Sequence, residues 1–354
     1  MGLESLNIQN LRNIAQATLT FSPGLNLIVG PNASGKTSLL EAISLICQGR
    51  SFRTPRIDQL IKHHEQALIV FGQLRVAAEQ YKIGLSREQK KTQVKINGER
   101  IKGATELVGK IALFVLTPES HELLDSGPKM RRQYLDWGVF HVEHQYLSAW
   151  QAYHRILRQR NTSLRHHRAK QEIQAWDKPL LEQAEKLHHY RGQYIAELTP
   201  LLSKYGEQLI GEVPRFDYYP GWKTGEMSLA EQLQSNLDTD MERGFTRLGP
   251  HRADIKIKVE GKTVQSVFSR GQQKLLICAM TLAQLMRLAS DAILLVDDLP
   301  AELDPGKRAI LLEALKETGA QVMVTATEPN LIDISSWEGN KMFHVERGSF
   351  QEVV

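Results

Sequence analysis

Cysteine is nearly missing. The 354 residues hold two, Cys47 and Cys278, each inside an apolar helical pattern and neither in a C-x-x-C pair. A disulfide-stapled scaffold or a zinc module needs more thiols at closer spacing, so both are read as small hydrophobes in a reducing compartment. Long apolar runs are absent too: no stretch approaches the roughly 18 residues of a membrane span. The opening MGLESLNIQNLRN lacks the basic-then-apolar layout of a secretory signal, which makes the cytoplasm the expected location. There is no internal repeat and no low-complexity tract, which excludes solenoids and disordered arrays. An excess of one charge sign is lacking as well. Against 44 basic residues stand 40 acidic ones, net +4, which leaves room for a local nucleic-acid patch but excludes a polybasic tail.

What is present is an ordinary globular composition, 42% hydrophobic and 24% charged, in a chain long enough for two domains. The first forty residues alternate as strands, with Ser22, Pro23 and Gly24 as the turn between two of them. A helix to about Cys47 follows, ending at Gly49. The stretches ALIVFGQLRVAAEQYKIGLSR and KKTQVKINGERI predict an antiparallel meander with its turn at Asn97–Gly98, and KIALFVLTPE a buried strand. From about Arg131 to Ile210 apolar residues recur at helical spacing, interrupted by the polar QRNTSLRHHRAKQE, which predicts an antiparallel helical arm too short for an extended coiled coil. Strand and helix signals then resume, with a helix at Gln272–Leu288, a strand at AILLVDD, a helix at Pro305–Thr318, a strand at QVMVTAT and a final hairpin in KMFHVERGSF. The expected organisation is a discontinuous α/β unit, 1–125 plus 243–354, interrupted by a mainly helical arm, 126–242.

Three stretches carry chemistry. Gly30, Pro31, Asn32, Ala33, Ser34, Gly35, Lys36 and Thr37 fit G-x-x-x-x-G-K-S/T between a predicted strand and the helical pattern TSLLEAISLI, and with Ser38 they are the candidate nucleotide-binding residues. In that context backbone N–H groups and the positive helix end wrap phosphate oxygens. Lys36 is placed to reach the terminal phosphates of ATP and the Thr37 hydroxyl to hold Mg²⁺. The second stretch is the apolar strand that ends in Asp297 and Asp298. Ligands bind at the C-terminal edge of parallel sheets, so Asp297 is a candidate metal ligand and Asp298 a candidate for orienting or deprotonating a water. The third, Ser269, Arg270, Gly271 and Gln272, opens an apolar helix. By itself it reads as a helix cap; its order relative to the other two stretches makes Ser269 Oγ and the helix N-terminal N–H groups a candidate second anion site.

The order of these three stretches resembles that of the ABC-type ATPase heads, where an S-x-G-Q signature serves ATP held by the opposite subunit. The strings GRSFR, LTPESHELLDSGPKMRRQYLDWGVFHVE, LGPHRADI, SRGQQKLLICAMTLAQ and LLVDDLPAELD are similar, nearly end to end, to the RecF family of repair ATPases. That resemblance implies an ABC-type P-loop ATPase head with an N-terminal antiparallel β layer and an inserted helical arm. It implies an ATP-dependent homodimer with two-fold closure, slow ATP hydrolysis with Mg²⁺, DNA binding near the nucleoid, and work with RecR and RecO to load RecA at single-strand gaps. It places Ala301, Glu302, Leu303 and Asp304 in the loop that crosses the dimer interface, and Arg12 and Asn13 beside the nucleotide. Asp298 stands where such heads carry Glu, one methylene longer. Ala326 or Thr327 occupies the place of a switch histidine, and Glu119 is the candidate for the Gln-loop position. A transporter-type ATPase subunit, an SMC-like structural chromosome ATPase and a defence ATPase with an appended nuclease are the competing classes. The arm, its shortness, and the absence of hook cysteines and of a further domain weigh against them in turn.

Candidate phosphate contacts to DNA are Arg50, Arg53 and Arg56, then Lys129, Arg131 and Arg132, then Arg155, Arg158, Arg160, Arg165 and Arg168 in the arm. The arginines at 131 and 132 have an alternative as partners of Asp125 or Asp136. No base-reading module is present, so structure-selective, salt-sensitive binding is expected. His166 and His167 are read as exposed linker residues.

Overall fold

The computed structural model describes residues 2–353 apart from 89–90, 102, 104, 226, 289–291 and 300–302. The chain forms two compact units, Met1–Ser120 with Lys274–Val354, and His121–Gln273.

The first unit opens with Gly2–Leu11 (β1) and Ile14–Thr20 (β2), paired antiparallel, then Leu25–Val29 (β3). The first two strands meet at a turn at Arg12 and Asn13, where Arg12 takes a left-handed φ of 54°. Helix Lys36–Gln48 (α1) follows the loop after β3. Ala67–Val76 (β4), Glu79–Glu88 (β5), Lys91–Ile96 (β6) and Glu99–Arg100 (β7) complete an antiparallel sheet in the order β2-β1-β4-β5-β6-β7, with the turn at Asn97–Gly98 as the N-G pair predicts. Ala112–Leu116 (β8) belongs to the other sheet.

The second unit contains helices Pro128–Val142 (α2), Tyr146–Arg165 (α3) and Asp177–Ile210 (α4). Much of the polar stretch expected as a link is the last turns of α3. Arg215–Tyr219 (β9), Asp254–Val259 (β10) and Lys262–Thr263 (β11) form a small antiparallel sheet in the order β11-β10-β9. The β9–β10 pairing explains why residues 243–273 group with the second unit, where the sequence suggested the first. Charges in this interior are paired. Arg160 is fully buried between Asp177 (2.8 Å) and Asp240 (3.0 Å), Arg191 reaches Asp136 at 2.7 Å, and Arg131 grips Asp254 with Nε at 2.8 Å and Nη2 at 3.0 Å.

Helix Arg270–Leu288 (α5) carries the chain back into the first unit. There Ala292–Val296 (β12), helix Pro305–Thr318 (α6), Gln321–Ala326 (β13), Lys341–Glu346 (β14) and Ser349–Glu352 (β15) complete the unit. The second six-stranded sheet has the order β15-β14-β3-β13-β12-β8, parallel throughout except for β15. Strands β3, β12 and β13 are buried at every residue, which is why they read as mainly apolar runs rather than alternations, with Asn26, Gln321 and Thr325 as buried polar exceptions. Helix α1 contacts strands of both sheets and is buried on nearly all sides, its polar residues Glu41, Ser44 and Gln48 included. Cys47 lies in this core, its thiol pushed up to about 12 by burial, and Cys278 is buried and free as well.

Candidate nucleotide site

The parallel sheet brings three strand ends together. In the order β3-β13-β12, the loop after β3 and the acids after β12 flank the end of β13. The loop Gly30–Gly35 stays tight for two reasons. A Cβ on Gly30 would stand 2.2 Å from the Val345 carbonyl, and Gly35 has φ 123°, which side-chain-bearing residues avoid. The loop is buttressed from behind, because the Gly348 N–H in the β14–β15 turn donates to the Ser34 carbonyl at 2.7 Å. Asn13 closes another side: its Nδ2 donates to the Ala33 carbonyl at 3.2 Å, and its Oδ1 accepts from the Ser38 hydroxyl at 3.0 Å. Ser34 Oγ is buried and has no hydrogen-bond partner among the described residues.

Lys36, at the first turn of α1, folds over this loop. Its ammonium donates to the Gly30 and Pro31 carbonyls at 2.7 and 3.0 Å. Burial lowers its pKa, opposed by Asp298 and Asp297. The first-turn N–H groups of a helix have no intrahelical acceptor, so the loop presents amides and one ammonium to the same small space. Thr37 Oγ1 donates to the Asp297 carboxylate, 2.8 Å from Oδ2 and 3.1 Å from Oδ1. Residues 260 positions apart in sequence thus meet at hydrogen-bond distance. Burial raises the Asp297 pKa, while hydrogen bonds from Thr325 and Thr37 and the charge of Arg53 act the other way. Asp298 follows with a left-handed φ of 56°, a conformation that Asp tolerates better than most residues.

Several predicted residues are placed differently from expectation. The hydrogen bonds of the Arg12 guanidinium go to α1 and to Gln59. It forms a two-pronged pair with Glu41 of α1 (Nε 3.1 Å, Nη2 3.0 Å) and its Nη1 lies 3.3 Å from the Gln59 carbonyl. Ser51 donates to the same Glu41 at 2.7 Å, and its oxygen accepts from the Arg53 and Thr54 N–H groups at 3.0 and 3.3 Å. Arg53, grouped with DNA contacts on sequence, bears electrostatically on Asp297. Arg50, Arg56 and Lys129 are exposed. Arg131 is occupied by Asp254 rather than by Asp125 or Asp136, Arg132 donates to the Ala253 carbonyl at 2.8 Å, and Arg160 is buried, which removes 131 and 160 from any open phosphate-binding surface. Arg155, Arg158, Arg165 and Arg168 are exposed, as are His166 and His167, and Glu119 is exposed in the turn after β8.

In the second unit Ser269 and Gln272 make a reciprocal cap on α5. The Gln272 N–H donates to Ser269 Oγ at 3.3 Å and the Ser269 N–H to Gln272 Oε1 at 3.0 Å. Ser269, Arg270 and Gly271 are exposed, and Arg270 pairs with Asp125. In the 301–304 stretch, Ala301 and Glu302 lie outside the described residues. Leu303 is buried, and Asp304 caps α6 by accepting from the Lys307 N–H at 3.0 Å. Ala326 ends β13, so no histidine stands there. Glu41, Ser51 and Thr325 were not anticipated. A lone carboxylate within an apolar helix and a lone hydroxyl within an apolar strand were the available signals.

Among the described residues no group of three or more His, Cys, Asp or Glu side chains that could hold a metal ion is present. No described helix is long and apolar enough to cross a membrane.

Residues 2–349 match the RecF/RecN/SMC N terminal domain family. The chain is 42% identical over 352 residues to the DNA replication and repair protein RecF of Hydrogenovibrio crunogenus, covering 98% of this chain and 97% of that one. It is 43% identical over 355 residues to the protein of the same description from Shewanella denitrificans, covering 98% of each. Among solved structures, that of the recombination mediator protein RecF with ATP in the RecFOR pathway superposes with a TM-score of 0.85 at 28% identity, covering 100% of this chain and 98% of that one. The Smc head of Pyrococcus yayanosii, 14% identical with a TM-score of 0.65 over 100% and 97% of the two chains, shares the fold alone. The α/β fold is that of an ABC-type ATPase head, and the chain belongs to the RecF family of DNA replication and repair ATPases.

Proposed function

We propose that the loop Gly30–Thr37 binds the triphosphate of ATP and that Thr37 and Asp297 together hold Mg²⁺ against it. The carrying observation is the 2.8 Å approach of the Thr37 hydroxyl to Asp297 beside the buried Lys36 ammonium. Lys36 exchanges its two carbonyl partners for phosphate oxygens. The bound cation would neutralise phosphate charge as the terminal phosphoryl is transferred to water. Asp298 orients the attacking water and accepts its proton. Arg53 adds positive charge on the same side, and Asn13 keeps the loop closed. Arg12 braces α1 through Glu41.

The exposed cap at Ser269–Gln272 supports a second half-site for ATP bound by another copy of the chain, with Asp304 and its neighbours at the same interface. ATP then joins two protomers around two nucleotides, and slow hydrolysis releases them. The dimer clamps DNA by phosphate contacts from exposed residues such as Arg50, Arg56 and Lys129. It acts in the cytoplasm, at the nucleoid, with RecR and RecO to load RecA at single-strand gaps. The RecF relatives support that biology, and the absence of a base-reading element supports structure-selective binding.

Light scattering with and without ATP–Mg²⁺, repeated on gapped, duplex and single-stranded DNA, tests the scheme. ATP should double the mass of the wild type, Lys36→Met should bind no ATP and stay monomeric, and Ser269→Arg should bind ATP yet stay monomeric. A dimerising Lys36→Met protein would remove the loop from the mechanism, and a dimerising Ser269→Arg protein would remove the shared half-site.

A further inference from the structure

One hydroxyl touches both acids. Thr325 lies on β13, the strand between the loop-bearing β3 and the acid-bearing β12, and is fully buried. Its Oγ1 donates to Asp297 Oδ1 at 2.8 Å and accepts from the Asp298 N–H at 2.7 Å. The direction of both bonds is determined by chemistry, since an ionised carboxylate only accepts and a backbone N–H only donates. Both capacities of the hydroxyl that matter here are therefore in use. The bond to Asp297 fixes which way its carboxylate plane faces. The bond from Asp298 helps hold a residue whose φ of 56° is otherwise unfavourable.

The two hydroxyls on Asp297 differ in one respect. Thr37 would offer an oxygen lone pair to a cation while its O–H still faces Asp297. Thr325 is fully buried, and both of its bonds are made within the protein. Building on the assignment of Asp297 and Asp298 given above, we infer that Thr325 is a positioning residue for ATP hydrolysis. It aligns the metal-side carboxylate and the water-side aspartate through a single oxygen.

Thr325→Val keeps the shape of the side chain and removes both bonds, Thr325→Ala removes them without a second methyl, and Thr325→Ser keeps them. In the full chain, Val and Ala should lower kcat by about 10–100-fold with KM for ATP within about threefold. They should also raise the Mg²⁺ concentration that half-saturates binding of a fluorescent ADP by about tenfold or more, the range found when partners of metal ligands are removed. Serine should restore both readouts to within a few-fold of wild type. Wild-type Mg²⁺ dependence and kcat in Val and Ala would overturn the inference. So would a serine variant as impaired as alanine, since that outcome makes the methyl, not the hydroxyl, the important group. Failure of the underlying site assignment has a different signature, namely Lys36→Met retaining ATP affinity.

Discussion

Glu41→Gln isolates a charge that the fold has enclosed beside the nucleotide loop. The Glu41 side chain is 0% exposed and accepts from Arg12 twice and from Ser51 once, while Arg12 is 31% exposed. Glutamine fills the same volume but leaves the guanidinium without its counter-charge and turns an N–H₂ group toward other donors. Removing one partner of a buried pair costs about 3–5 kcal/mol. Water reaching Arg12 returns part of that, leaving about 2–3 kcal/mol. The unit containing this pair has about 200 residues, and units of that size lose roughly 2–4 °C of melting temperature per kcal/mol, so the expected drop is roughly 4–12 °C. Differential scanning calorimetry of wild type, Glu41→Gln, Arg12→Met and the double variant gives the coupling directly. A coupling of about 2 kcal/mol is expected, because either single change already abolishes the interaction. Single-variant shifts below about 1 °C, or additivity within about 0.5 kcal/mol, would refute the reasoning.

Asp298→Asn should bind ATP and dimerise normally while hydrolysis falls by about 10²–10⁴; turnover within twofold of wild type would dismiss Asp298 as the proton acceptor. Arg160→Met should destabilise the second unit by about 3–5 kcal/mol in urea titrations and leave the DNA affinity of the folded protein unchanged, since this arginine is enclosed by Asp177 and Asp240. The His251 ring is pushed down to about 4 from 6.5 by burial. It accepts from the Tyr153 hydroxyl at Nδ1 (2.7 Å) and donates from Nε2 to the Thr246 carbonyl (3.0 Å). The unfolded chain therefore takes up the proton first, so stability present above pH 6.5 is lost as pH falls toward 4, by up to about 1.4 kcal/mol per pH unit. His251→Gln should flatten this slope in urea midpoints measured from pH 7 to 4, and an unchanged slope would dismiss the ring as its source.

Local signals were legible in the sequence wherever the physics was local. Asp304 with Pro305 at one end and Gly319 at the other delimit α6 where the chain itself suggests. The loop before α1 was legible because strand, glycines and helix are adjacent. What stayed hidden depends on partners distant in sequence. Nothing near Arg131 announces Asp254, 123 positions away, so a buried guanidinium looked like a surface one. Helical spacing marked the faces of α3 but not that Arg160 points inward to two acids. The β9–β10 pairing joins strands 35 residues apart across two short helices, and without it residues 243–273 read as part of the first unit. Thr325 sits in a strand whose other residues are almost all apolar, so its hydroxyl was legible only once β12 and β13 were set side by side.

The turn at Gly348 has a consequence for engineering. Its amide grips the back of the loop Gly30–Gly35 at Ser34, more than 300 positions earlier, and Val345 leaves no room behind Gly30. Excising this closing hairpin, or splicing a domain into its bend, would therefore strip the cradle of its rear wall and forfeit ligand affinity without altering any residue that meets the ligand. Reporter fusions are better placed at exposed bends of the antiparallel meander, such as Asn97–Gly98.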